Sequence, residues 1–137
     1  MNLDEPILLV EDDTVDQMTV KRALRELNVT NRLILANNGE EALLYLNNHK
    51  YPKPAVILTD LNMPKMNGVE FLEILKNDED LKHIPAIVLS GSSEDEDRIS
   101  SFNLGVAAYI VKPVDYNKII EAVSTIKMYW KLSRLPG

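Results

Sequence analysis

Five short apolar runs constrain this chain more than any other feature: Ile7–Val10, Leu33–Ala36, Ala55–Leu58, Ala86–Leu89 and Ala107–Val111. Each has the length of a strand, is bounded by polar or turn residues, and is continuous rather than alternating. That is the pattern of strands buried on both faces. The segments between them have helical periodicity. Val20, Ala23, Leu24 and Leu27 recur at i, i+3, i+4 and i+7, and so do Gly68, Phe71, Leu72 and Leu75. Asn38-Gly39 precedes a further helix carrying Ala42, Leu43 and Leu46. Ser93-x-x-Glu96 has the form of a capping box, with Gly105 placed to end that helix, and Asp115 can cap a last helix running to about Leu132. Five strands alternating with five helices predict an α/β fold, a parallel sheet covered on both faces with right-handed crossovers.

Composition narrows the function. A length of 137 residues suits a single domain over 1–137. The absence of cysteine removes disulfides, zinc–thiolate sites and thiol nucleophiles together. No stretch approaches the ~20 apolar residues of a membrane span, and the acidic start Met1-Asn2-Leu3-Asp4-Glu5 lacks the regions of a signal peptide, so a cytoplasmic location is expected. With 15 basic against 21 acidic residues the net charge is −6, which argues against direct nucleic-acid binding. Residues 114–137 suffice for an extended last helix and a short tail but not for an output domain, so the chain is expected to act through partners.

In doubly wound sheets ligands bind at the carboxyl ends of the strands. Here the first strand leads into Glu11-Asp12-Asp13, the third into Asp60-Leu61-Asn62-Met63-Pro64, the fourth into Ser90-Gly91 and the fifth into Lys112-Pro113. Any one of these is ordinary: a charge at a loop start is usually just solvated, Lys112 can be a salt-bridge partner, and Ser90 a turn hydroxyl. Gathered on one edge they are not. Clustered carboxylates repel and raise one another's pKa, so the cluster calls for a counter-ion. Mg²⁺, which takes oxygen ligands and commonly uses one or two carboxylates plus a phosphate oxygen, fits that demand. A cis Lys112–Pro113 bond would turn the lysine back over the site.

These segments resemble the receiver domain of bacterial two-component response regulators. The resemblance rests on Ile7–Asp13, Leu58–Gly68, Val88–Gly91 and Gly105–Pro113, in family order and spacing across essentially the whole chain. It implies a flavodoxin-like, five-stranded doubly wound sheet of order 2-1-3-4-5 flanked by five helices. It also implies Asp60 as the phosphorylated residue and Glu11 and Asp12 as the acidic pair holding Mg²⁺, with Glu11 where the family more often has Asp. The Asn62 backbone carbonyl would be a further metal ligand, Ser90 and Lys112 would bind phosphoryl oxygens, and Ser90 with Tyr109 would form the switch. Asp13 falls one residue beyond the pair and is expected to be an outer or capping charge.

The implied mechanism needs little covalent chemistry from the protein. A carboxylate is a weak nucleophile, and phosphoryl transfer depends mainly on positioning and charge neutralisation. The donor would be a phosphohistidine on a sensor histidine kinase or a phosphotransfer protein. The chain would be a phosphoacceptor that assists its own phosphorylation and dephosphorylation, not an enzyme with a substrate of its own. Asn62 and Ser92, both small and polar, would shield the acyl phosphate poorly and give a lifetime of minutes. Movement of Ser90 and Tyr109 would reshape the surface made by the helix before the fifth strand, that strand and the last helix. The same surface is expected to form a homodimer and to meet an unknown downstream protein. Ile119, Ala122, Val123, Ile126, Tyr129 and Trp130 form one stripe of the last helix, leaving Met128 and Leu132 outside it. The closing segment is similar to regulators served by phytochrome-type kinases.

Rival readings are a flavodoxin-like electron carrier, an aspartyl-phosphate phosphatase and an inactive receiver-type interaction module. The acidic loop after the first strand would repel a flavin phosphate. Asn62 stands where the phosphatase needs a second carboxylate. The intact set of Glu11, Asp12, Asp60, Ser90 and Lys112 argues against inactivity. His49 and His83 lack metal-ligand spacing and are expected at the surface.

Overall fold

A computed structural model describes residues 5–61, 66, 68–90, 103–112 and 116–133, the last helix with side chains to residue 125. Five parallel strands, β1 (Ile7–Val10), β2 (Leu33–Ala36), β3 (Val56–Asp60), β4 (Ala86–Ser90) and β5 (Ala108–Val111), form one sheet of order β2-β1-β3-β4-β5. The helices are α1 (Thr14–Glu26), α2 (Gly39–Leu46), α3 (Gly68–Asn77) and α4 (Tyr116–Ser133). The helix expected from Ser93 to Gly105 falls mainly on residues outside those described, as do Asp115 and Pro113. Gly105 itself has φ 74°, the left-handed conformation expected of a helix end.

Alternation along each strand explains the continuous apolar runs. Leu8, Val10, Ile57, Ala86 and Val88 face one layer, with Ala42, Leu46, Phe71, Leu72 and Leu75 of α2 and α3. Ile7, Leu9, Val56, Leu58, Ile87, Leu89 and Ile110 face the other, with Val20, Ala23 and Leu24 of α1 and Ile119 and Val123 of α4. The central strands β1, β3 and β4 therefore bury successive residues on opposite sides, whereas the outer strands are only partly buried and Leu35 of β2 is exposed. The guanidinium of Arg22 lies 5.2 Å from the Tyr116 ring centre, tying α1 to α4 at the edge of this second layer.

The apolar run of the third strand stops at Leu58, but pairing continues: Thr59 lies against Val88 and Asp60 against Leu89. Both polar residues are buried. Hydrophobicity alone under-reads this strand because its last residues are held by the ladder rather than by apolar packing. Gly68 fixes what lies beyond. A Cβ there would come within 2.4 Å of the Asp60 carbonyl oxygen and 2.5 Å of the Leu61 Cα, and the Gly68 N–H donates to the Leu61 carbonyl at 2.8 Å. Only glycine lets α3 start this close to the end of β3.

Candidate functional site

Three chain segments converge at the carboxyl edge of the sheet because β1, β3 and β5 end there. Glu11 follows β1 and is fully buried; Asp60 ends β3 and is almost fully buried; Lys112 follows β5. The Lys112 backbone N–H donates to the Ser90 carbonyl at 2.6 Å, so the end of β4 sets where the lysine leaves the sheet. Its ammonium donates to Glu11 Oε1 at 3.1 Å and to Asp60 Oδ2 at 3.1 Å, and pairs with Asp16 Oδ2 at 2.8 Å. Lys112 thus joins Glu11 to Asp60, residues on different strands brought together only by the fold.

The electrostatics are those of a site short of positive charge. Burial pushes the Glu11 carboxyl up; hydrogen bonds from Lys112 and the Asp13 N–H pull it back, while the Asp60 charge adds to the rise, and the net shift is upward. For Lys112, burial alone would lower the pKa. Hydrogen bonds to Asp16 and Glu11 and the charges of Asp60 and Glu11 outweigh it and hold the ammonium above its ordinary range. The lysine is a fixed cation at neutral pH.

A place for a metal is visible in the same atoms. Oxygens of Glu11, Asp12 and Asp60 all lie within 4.8 Å of one another. Glu11 Oε2 is buried 2.9 Å from the Lys112 ammonium but accepts no hydrogen bond from the described residues. A buried carboxylate oxygen that accepts no hydrogen bond from the described residues, beside two more carboxylates, suits a hard divalent cation. Asp12 is exposed and completes the open side of the cluster.

Asp13 does something else. Its Oδ1 accepts from the N–H groups of Val15 (2.8 Å) and Asp16 (3.1 Å), capping α1 as the sequence suggested. The amides at that helix start are taken by a carboxylate, which leaves no cradle for a flavin phosphate. Ser90 is fully buried at the end of β4, and Tyr109 is half-buried on β5, packed against the layer of α2 and α3. His49 and His83 are exposed. Asn62 and Ser92 lie outside the described residues, and so do the side chains of Ile126, Met128, Tyr129, Trp130 and Leu132.

One participant escaped sequence reasoning. Asp16 counted only as one more charge in the acidic loop, yet it makes the shortest of the carboxylate contacts to the Lys112 ammonium. The available signal was its place in the first turn of α1, just after the acidic pair.

The Response regulator receiver domain profile matches residues 7–124. A probable methanogenesis regulatory protein, FilR2 of Methanothrix harundinacea, is 36% identical over 135 residues, covering 96% of this chain and 87% of that protein. Response regulator Rcp1 of Synechocystis is 35% identical over 133 residues, covering 94% and 90%. Its structure in a Mn²⁺-bound form superposes with a TM-score of 0.80 at 35% identity, over 97% of this chain and 99% of that one. The phosphorylated cyanobacterial phytochrome response regulator RcpA gives a TM-score of 0.79 at 34% identity, over 94% and 95%. No described helix is long and apolar enough to cross a membrane.

Proposed function

The chain belongs to the response regulator receiver domain family, and from that premise we propose that it carries its signal as a phosphoryl group on Asp60. It is a response regulator of two-component signalling, similar to the phytochrome-associated members. The observation that carries the assignment is the Asp60 carboxylate itself: buried at the end of the central strand, 3.1 Å from a committed ammonium and within reach of the acidic pair.

In this reading Glu11, Asp12 and Asp60, with the Asn62 carbonyl, would hold Mg²⁺, which would supply positive charge against the repulsion between Asp60 and an incoming phosphoryl group. The protein's own residues do the rest. An Asp60 oxygen attacks phosphorus, the bond to the imidazole nitrogen of a phosphohistidine breaks, and the imidazole leaves. Lys112 neutralises one phosphoryl oxygen and the Ser90 hydroxyl donates to another. The donor is a sensor histidine kinase or a phosphotransfer protein, and the setting is the cytoplasm. The chain is a receiver domain, and it assists its own phosphorylation and dephosphorylation rather than turning over another substrate.

Output would pass through Ser90 and Tyr109 to the side of the sheet formed by β5 and α4. A groove of ≈ 720 Å³ lies there, with Ala107, Tyr109, Lys118, Ala122 and Thr125 among its lining residues. We place the homodimer contact, and the docking of a downstream protein, on this side. The test of the phosphoryl assignment is direct. Label the protein with a small phosphodonor in Mg²⁺ and map the adduct: label is expected on Asp60 and absent from Asp60→Asn. Undiminished labelling of the variant under limiting donor overturns the assignment.

A further inference from the structure

Resting on the reading that Asp60 accepts the phosphoryl group, we propose that Asp16 is a positioning residue that restrains Lys112, trading phosphoryl affinity for metal affinity. An ammonium has three N–H donors. Here three carboxylates surround it: Glu11 Oε1 at 3.1 Å, Asp60 Oδ2 at 3.1 Å and Asp16 Oδ2 at 2.8 Å. A metal ion held by Glu11 and Asp60 would weaken the first two contacts, since both carboxylates then have a better cation. The contact to Asp16 is untouched by that exchange. It is the one that still holds the lysine when a phosphoryl oxygen arrives.

Asp16 is well placed for such a restraint. It lies in the first turn of α1, and its backbone N–H is fixed by the Asp13 cap. Its side chain is only 15% exposed and that of Lys112 16%, so water screens the pair less than it would a surface pair. It also adds a further negative charge to a pocket that must accept both a cation and an anion. Removing that charge should therefore move the two affinities in opposite directions. Mg²⁺ loses an attractive charge, and a lysine released from Asp16 competes harder for Glu11 and Asp60. The anion loses a repulsive charge and gains a lysine with a donor to spare.

The experiment measures both affinities on the full chain: Mg²⁺ alone by calorimetry, and beryllium fluoride at saturating Mg²⁺. For Asp16→Asn we expect Mg²⁺ binding weaker by about threefold and beryllium fluoride binding tighter by about fivefold, the scale of one partly screened ion pair. Asp13→Asn is the comparison, since it removes a carboxylate charge at the start of the same helix without touching Lys112; the opposed shifts should be absent there. In a Lys112→Met background the tightening by Asp16→Asn should largely vanish. Shifts in the same direction, no shift, the same opposed shifts in Asp13→Asn, or an undiminished tightening without Lys112 each overturn the proposal. Asp16→Ser repeats the measurement if Asp16→Asn does not fold. Labelling of Asp60 separates the two readings: if Asp60→Asn still labels, the phosphoryl assignment has failed; if it does not and the affinities stay put, only the role of Asp16 has.

Discussion

Lys112 sits where removing a charge costs more than the charge contributed. Its ammonium pairs with both Glu11 and Asp16, and Glu11 is fully buried. Replacing it with methionine leaves crowded carboxylates without their cation, which should lower the stability of the metal-free protein by about 2–3 kcal/mol. Mg²⁺ should then stabilise Lys112→Met more than the parent, because the metal no longer competes with the lysine. Urea unfolding with and without Mg²⁺ measures both effects; an equal Mg²⁺ gain in the two proteins would contradict this account. At the same scale, Asp12→Ala should weaken Mg²⁺ binding far more than Asp13→Ala, which should cost the fold about 1 kcal/mol through its lost cap. Asp60, Glu11 and Lys112 were legible as strand-end residues because Glu11 and Lys112 directly follow an apolar run and Asp60 lies one residue, Thr59, beyond one. Asp16 was not, because its partner is nearly a hundred residues away and nothing local distinguishes it from its acidic neighbours.

At the scale of elements, apolar period placed the strands and the buried stripes of α1, α2 and α3, since burial is what that period encodes. Terminal chemistry was harder to see. Asn28 ends α1 with φ 56°; its N–H donates to the Arg25 carbonyl and that of Val29 to the Leu24 carbonyl, both at 3.0 Å. This is a Schellman closure with asparagine in the place that glycine usually fills. A glycine at this point would have advertised the helix end; an asparagine reads equally as helix or loop. Asn28→Gly should therefore hold or raise the melting temperature, whereas Asn28→Val should cost about 1–2 kcal/mol, since a branched residue resists the left-handed region. Thermal melts of the two variants decide this, and equal stabilities would mean that the closure does not depend on that conformation. At the start of α2, where the sequence showed only that Asn38-Gly39 precedes the helix, the Asn38 side chain accepts from the Glu41 N–H at 2.9 Å and caps it.

For the molecule as a whole, the parallel sheet inferred from alternation brings Glu11, Asp60 and Lys112 together along one edge. The proposed partner-binding side is less legible, because exposed apolar residues on a helix look the same whether or not anything covers them. Association is expected to respond to the phosphoryl site if Tyr109 couples the two. Light scattering over a range of concentrations should show a dimer whose affinity changes with beryllium fluoride, and Met128→Glu with Leu132→Glu should weaken it while leaving Asp60 labelling intact. A monomer under every condition would remove the dimer; a dimer indifferent to beryllium fluoride would remove only the coupling.

The brevity of the outer strands bears on that association. β2 and β5 flank the sheet with four residues each, a ladder of only ~13 Å. So short a stretch offers a neighbouring chain few backbone groups to pair with, and is a poor template for extending the sheet from one molecule to the next. A signalling protein that must meet partners repeatedly and then let them go can thus present side chains for recognition while its own backbone stays out of reach of polymerisation.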